Sequence, residues 1–410
     1  MARASYDDWT FMGEVQSEDR RLRLSKPGRT QQVNSVRNSF IFLCVIVLLT
    51  FMGLVCVYSA SYEAAVNEGH PHYYFLVRQA VYVGIGIALM IGVNILPEKA
   101  VKLIGPIMFF SSVILLLVDV LFKKNLLMTS DTVDFLFLSG IMYMGLFFAG
   151  RDNNIDRFSQ LIVPVIGCLL VLALLLFKRN ISFAIMYLAM SVTMFAAGGV
   201  GLFGVVLLLL YVAVPVACLI LSKSDRIIAV AKFLLPGIGS NPRSADIMAA
   251  RSAIASGSWF GKGLGGGAYK STAISELSGR NILACICEEL GFWGIVMIML
   301  FIAFYAFVGY KAAHTIRRRD KFYSNIAIGL TSMVVWQFIL NIVWVLGYLP
   351  MEGLPLPFFS YGTGIIPILL ASGLIYKITR VKVENEDEDR GIESIQDELM
   401  FPERYSFENP

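Results

Sequence analysis

The stretch NIVWVLGYLPMEGLPLPFFSYGTG, Asn341 to Gly364, decides what kind of fold this chain can adopt. It opens as an apolar run and then places Pro350, Pro355 and Pro357 close together. Each proline fixes φ and removes a backbone N–H, so no helix continues through the segment. Irregular backbone at membrane depth is stable only where it lines a cavity or is buried in protein. Two readings follow: a structural plug inside a helical bundle, or one wall of a cavity for a lipid headgroup. In either case Asn341, Ser360 and Tyr361 need partners within the bundle.

The rest of the chain supplies the bundle. It has 410 residues, 57% hydrophobic and only 16% charged, with a mean hydropathy of +0.68. A soluble globule of this size has too little interior for that much apolar side chain. Apolar runs fall near 39–59, 75–96, 101–122, 133–150, 160–177, 181–198, 201–221, 286–313, 323–347 and 362–378. Several approach the roughly 20 residues that cross a bilayer core. The fold class expected is therefore all-α, a polytopic membrane protein of about ten transmembrane helices.

Charge sets an expected topology. Lys and Arg gather at Arg20, Arg21, Arg23, Lys26, Arg29 and Arg37, at Arg151 and Arg157, and at Arg317 to Arg319 with Lys321. The positive-inside rule puts these segments and both termini in the cytoplasm. Residues 1–38 then form a cytoplasmic tail, 39–378 the transmembrane domain and 379–410 an acidic, solvated cytoplasmic tail. The first 38 residues are polar and charged, unlike a signal peptide. The long connection 222–285 between the seventh and eighth spans falls on the extracytoplasmic side. A connection of that length in a compact bundle tends to be functional.

Other chemistry is thin. A net charge of +4 with no basic stripe gives no sign of nucleic acid. The six cysteines lie in or beside apolar runs, and Cys285-x-Cys287 lacks metal or redox spacing. His70-Pro-His72 reads as a solvated loop pair without a carboxylate cluster. No metal site is expected.

Two segments of the long connection remain. In SAIASGSWFGKGLGGGAYKS, Ser252 to Ser271, six glycines allow close backbone approach and positive φ. Such a loop either presents N–H groups to an anion, with Lys262 and Lys270 supplying charge, or is a flexible re-entrant connector. It does not follow the order of a Walker loop. Downstream, ISELSGRNILACICEELGFWG sets Glu288 and Glu289 at the head of an apolar run, with Arg280 about two helical turns before them. Those carboxylates either serve a reaction or sit at a helix start, where the macrodipole favours them. Either could also pair with Arg280 or Lys262.

These residues carry a resemblance. GYLPMEGLPLPFFSYGTG is similar to the proline-rich signature of the shape, elongation, division and sporulation family, which includes FtsW, RodA and SpoVE. GLVCVYSAS (Gly53 to Ser61) resembles the end of that family's first span, and YYFLVRQAVYVGIG (Tyr73 to Gly86), with Arg78-Gln79, its second. AIASGSWFGKGLGGG followed by CEELGFWG resembles its large loop and eighth span.

The resemblance implies polymerisation of lipid II, an undecaprenyl diphosphate-linked disaccharide-pentapeptide, into glycan strands in the bacterial inner membrane. It implies a class B penicillin-binding protein as partner. A base would deprotonate the acceptor hydroxyl and cationic groups would stabilise the departing diphosphate. No cofactor is implied, though a divalent cation can accompany the diphosphate. Aligned on Glu288-Glu289, a family glutamate falls on Glu276 and the catalytic aspartate falls on Arg280. Arginine stays protonated and cannot act as a general base. The family's QPSE and QPDxG patterns are replaced by KKNLLMTSDTVDF and KRNISF, with Asn180 where an aspartate is expected.

Three readings stay open. One is an active glycosyltransferase with Glu276, about one helical turn from position 280, as base, and Arg78, Lys262, Lys270, Arg280, Glu288, Asn341 and Ser360 binding substrate. The second is an inactive relative that scaffolds or regulates a wall-synthesis complex. The third is a lipid II flippase, against which the lack of a clear repeat and the small number of charges within the spans count. The tail and the closing GLIYKITR resemble the division type.

Overall fold

The computed structural model describes residues 27–121, 130–150, 158–178, 180–199, 242–267, 282–317, 320–346 and 353–380. Among them all regular secondary structure is helical, with no strand. In chain order the helices are α1 Pro27–Asn67, α2 Tyr74–Ile95, α3 Glu98–Leu121, α4 Ser130–Ala149, α5 Phe158–Phe177 and α6 Ile181–Ala197. They continue with α7 Pro242–Gly257, α8 Ile282–Ile316 and α9 Lys321–Val345; residues 365–380 form α10. Part of α1 (Ser39–Asn67), and all of α2, α3, α8 and α9, are long and apolar enough to cross a membrane. Shorter apolar helices run over Val133–Ala149, Val163–Phe177 and Ile181–Ala197. The span expected at 201–221 lies outside the described residues, as do the two charged tails up to 26 and beyond 380.

The helix ends have local causes. α1 runs eight residues beyond the expected end at 59, because the Ala-rich continuation SASYEAAVN favours helix even though it is polar. It stops where Gly69 takes φ +75°. There the His70 N–H donates to the Ala65 carbonyl at 2.9 Å and the Gly69 N–H to Val66 at 3.0 Å, the pairing of a Schellman stop. α3 starts directly after Pro97, and α9 is capped by Asp320, whose carboxylate accepts the Phe322 N–H at 2.8 Å.

Packing is within the compact unit Cys44–Ile378. α9 is central, lying against α4, α6 and α8, while α3 packs on α4 and α7 on α8. α2 shows the pattern of a helix in lipid. Phe75, Gln79, Val83, Gly86, Met90 and Val93 face inward at helical spacing, and Val77, Val81 and Ile85 face out. The Lys377 ammonium of α10 donates to the Val93 carbonyl at 3.0 Å and also to that of Leu96, capping the end of α2. Within the long connection, 242–257 is helix, and α8 begins at Ile282 rather than near 286.

Candidate functional site

The centre of interest is a break in α8. Gly291 has φ +67° and ψ −163°, which no helix allows. The break deprives Phe292 and Trp293 of the carbonyls of Glu288 and Glu289, their ordinary partners four residues back. The glycine-rich loop supplies replacements in both directions. Phe292 N–H donates to Ser258 O at 3.0 Å and Trp293 N–H to Trp259 O at 3.3 Å. In return Lys262 N–H donates to Glu288 O at 3.0 Å and Gly263 N–H to Glu289 O at 3.0 Å. Four polar backbone groups that a broken helix would orphan are thus satisfied crosswise. The loop must lie very close to do this. A Cβ on Gly261, itself at φ +74°, would stand 2.1 Å from Glu289 O, and one on Gly291 would stand 2.3 Å from Gly261 N.

The side chains follow the backbone. Glu289, 4% exposed, accepts the Ser59 hydroxyl at 2.9 Å and 2.7 Å on its two oxygens. Gly265 N–H lies 3.3 Å from Glu289 Oε1 and 3.1 Å from Ser59 Oγ. Glu288, 2% exposed, accepts the Lys262 ammonium at 2.7 Å and the Ser256 hydroxyl at 3.2 Å. Both carboxylates are engaged in fixing the loop to α1 and α8. The helix-start reading of Glu288 and Glu289 is corrected: α8 starts at Ile282, and the pair sits just before the break. Of the two cations named for them, Lys262 takes Glu288.

A second cluster holds the proline-rich segment. Gln79 of α2 donates to Ser360 O at 3.3 Å and accepts the Gly362 N–H at 2.9 Å. The Ser360 hydroxyl accepts the Leu356 N–H at 2.5 Å, and the Asn341 amide donates to Leu354 O. Arg251 of α7 donates to Leu346 O at 2.9 Å. Asn341 and Ser360 therefore serve the irregular backbone directly, within the buried bundle. Arg78, one residue before Gln79, points the other way. It is exposed and lies over the Tyr74 ring, 5.6 Å from its centroid. Asp134 of α4 is fully buried, and its Oδ2 would stand 2.9 Å from a Cβ on Gly364, where α10 begins.

A third polar contact lies where α5 ends. Lys178, just past α5, pairs with the buried Asp119 of α3. Burial pulls the Lys178 ammonium below the usual lysine range, so the pair is held against desolvation.

The structure thus joins Lys262 to Glu288, and Asn341 and Ser360 to one re-entrant segment. Lys270, Glu276 and Arg280 lie outside the described residues. Ser59, Gln79, Ser256 and Asp134 belong to these clusters without having stood out as site residues. Their signal in the sequence was a polar side chain set among apolar or small neighbours. No three His, Cys, Asp or Glu among the described residues come together to hold a metal ion.

Comparison with known proteins identifies the family and the fold. The model of the FtsW, RodA and SpoVE family, described as a cell cycle protein, matches residues 39–384. A probable peptidoglycan glycosyltransferase FtsW of Geobacter sp. (strain M18) is 30% identical over 361 residues, covering 81% of this chain and 94% of that one. Stage V sporulation protein E of Bacillus subtilis (strain 168) is 27% identical over 354 residues, covering 83% and 96%. Among solved structures, a chain of a peptidoglycan synthase complex superposes with a TM-score of 0.66 at 20% identity, covering 83% of this chain and 97% of that one. The rod shape determining protein RodA of Thermus thermophilus gives 0.58 at 18% identity, covering 83% and 95%.

Proposed function

The chain belongs to the FtsW, RodA and SpoVE family and is a multi-pass membrane protein, and from that premise we propose that it is a peptidoglycan glycosyltransferase. In this reading it polymerises lipid II into glycan strands in the bacterial inner membrane, together with a class B penicillin-binding protein. The carrying observation is the family match across 39–384, which spans both the broken-helix cluster and the proline-rich segment. Ten spans, both termini in the cytoplasm and an extracytoplasmic loop between the seventh and eighth spans complete the proposal.

The chemistry asks for a base on the acceptor hydroxyl and cations around the leaving diphosphate. Glu288 and Glu289 already accept strong donors, which leaves Glu276 as the base of choice on that stretch. Lys262, Lys270, Arg280 and Arg78 are the cations assigned to the substrate, with Glu288, Asn341 and Ser360 shaping the site. A divalent cation, where used, enters with the diphosphate as part of the substrate.

Arg280 favours a second reading, because it replaces the carboxylate of the family pattern with a group that cannot accept a proton. A chain of that kind would scaffold or regulate a wall-synthesis complex while still binding the lipid diphosphate. The two readings separate in a lipid II polymerisation assay with the purified protein and its cognate penicillin-binding protein. Turnover that Glu276→Gln abolishes supports the first reading, and turnover that survives it moves the base elsewhere. No turnover by the wild-type complex supports the scaffold, while translocation of lipid II without polymerisation revives the flippase.

A further inference from the structure

The loop that repairs α8 also carries an exposed aromatic surface that the carboxylate cluster does not explain. Trp259 is 62% exposed and Phe260 82%, with Leu264 exposed beside them. Across the break, Phe292 and Trp293 are also exposed. The Trp259 and Phe292 rings meet edge to face at 5.2 Å, and those of Phe292 and Trp293 at 6.2 Å. So much uncovered aromatic surface in one place is a liability in water.

Its position says what covers it. Beyond the break, α8 exposes Met297, Leu300 and Phe307, which share one helical face with Trp293 at spacings of three, four and seven. This face belongs to a helix long and apolar enough to cross a membrane, so lipid is its natural neighbour. The aromatic cluster is the continuation of that stripe to the end of the span, where Trp and other aromatic rings settle at the bilayer interface. The loop is clamped to α8 by four backbone hydrogen bonds, so its ring positions are fixed relative to the stripe.

We propose that residues 258–264 form an interfacial hook, in which Trp259, Phe260 and Leu264 enter the bilayer beside Phe292 and Trp293. The glycine-rich loop is then a lipid-contacting element rather than a free aqueous phosphate loop. Lys262 lies between the hook's apolar side chains, and its ammonium is tied to Glu288 with a third of the side chain still open. The hook therefore holds that ammonium near the level of lipid phosphates, where a lysine head is comfortable and its stem packs on apolar surface. This inference concerns the bilayer and does not depend on whether the protein turns over lipid II.

The test uses the full-length protein in liposomes of phosphatidylcholine, without any partner protein. Tryptophan emission is compared for wild type, W259F and F260W, the last adding a tryptophan at the most exposed hook position. Acyl chains brominated near the headgroup, acyl chains brominated near the methyl end, and aqueous iodide serve as quenchers. The emission lost in W259F and gained in F260W is expected to be quenched most by bromine near the headgroup and little by iodide. Quenching of that emission by iodide and not by bromolipid would overturn the proposal. Protection from all quenchers would overturn it too, since protein would then cover the surface. F260W replaces one exposed aromatic ring by another, so a folding defect in W259F would not leave the question open.

Discussion

Ser59 and Glu289 lie 230 positions apart in the chain, yet the serine hydroxyl reaches Glu289 Oε2 at 2.7 Å. The contact joins α1 to α8, immediately before the point where α8 breaks. With Gly265 N–H on both side chains, three remote segments share one hydrogen-bonded knot.

Ser59→Ala removes a donor from a buried carboxylate, and the expected cost is about 1–3 kcal/mol. Thermal unfolding in detergent micelles should show a lower midpoint than wild type, and Ser59→Thr should recover part of the loss. An unchanged midpoint for Ser59→Ala would mean that water serves Glu289 equally well.

Lys262 and Glu288 form an unequal pair, one a third open and the other buried. The partly open lysine limits the gain from the pair itself to about 1 kcal/mol or less. Lys262→Met, however, leaves the Glu288 charge without its cation and should destabilise more than Lys262→Met combined with Glu288→Gln. A double-mutant cycle read by thermal unfolding checks this, and strict additivity would contradict it.

Gly291→Ala places a Cβ at positive φ and against the Gly261 N–H. Strain of this kind costs about 1–3 kcal/mol before the clash is counted. The loop should detach first, so cleavage by a protease within 257–267 should rise well before the bundle unfolds.

Gln79→Leu abolishes two contacts at once, the donor to Ser360 O and the acceptor for Gly362 N–H. Two buried backbone groups then lack partners, at about 1–3 kcal/mol each. Hydrogen exchange across 353–364 should accelerate, while exchange in the distant α5 and α6 stays as in wild type.

Much of this was legible in the chain. Pro355 and Pro357 dictated irregular backbone after α9, because a proline cannot donate its N–H, and that backbone is non-helical as expected. The apolar runs marked the membrane helices because length and hydropathy are local properties. The ends were less legible: α1 ran on to Asn67 through an alanine-rich stretch whose helicity does not depend on lipid. The glycines at 257–267 announced close approach without naming what was approached.

The sequence by itself determined a chain of apolar helices with the motifs of the FtsW, RodA and SpoVE family. These conclusions rest on residue order, hydropathy and backbone stereochemistry, all of which act locally. Only the tertiary structure decided that Glu288 and Glu289 hold a loop to a broken helix, through Lys262, Ser256, Ser59 and Gly265. A buried carboxylate takes its character from the donors that folding brings within about 3 Å, and residues as far apart as Ser59 and Glu289 become neighbours only when the helices pack.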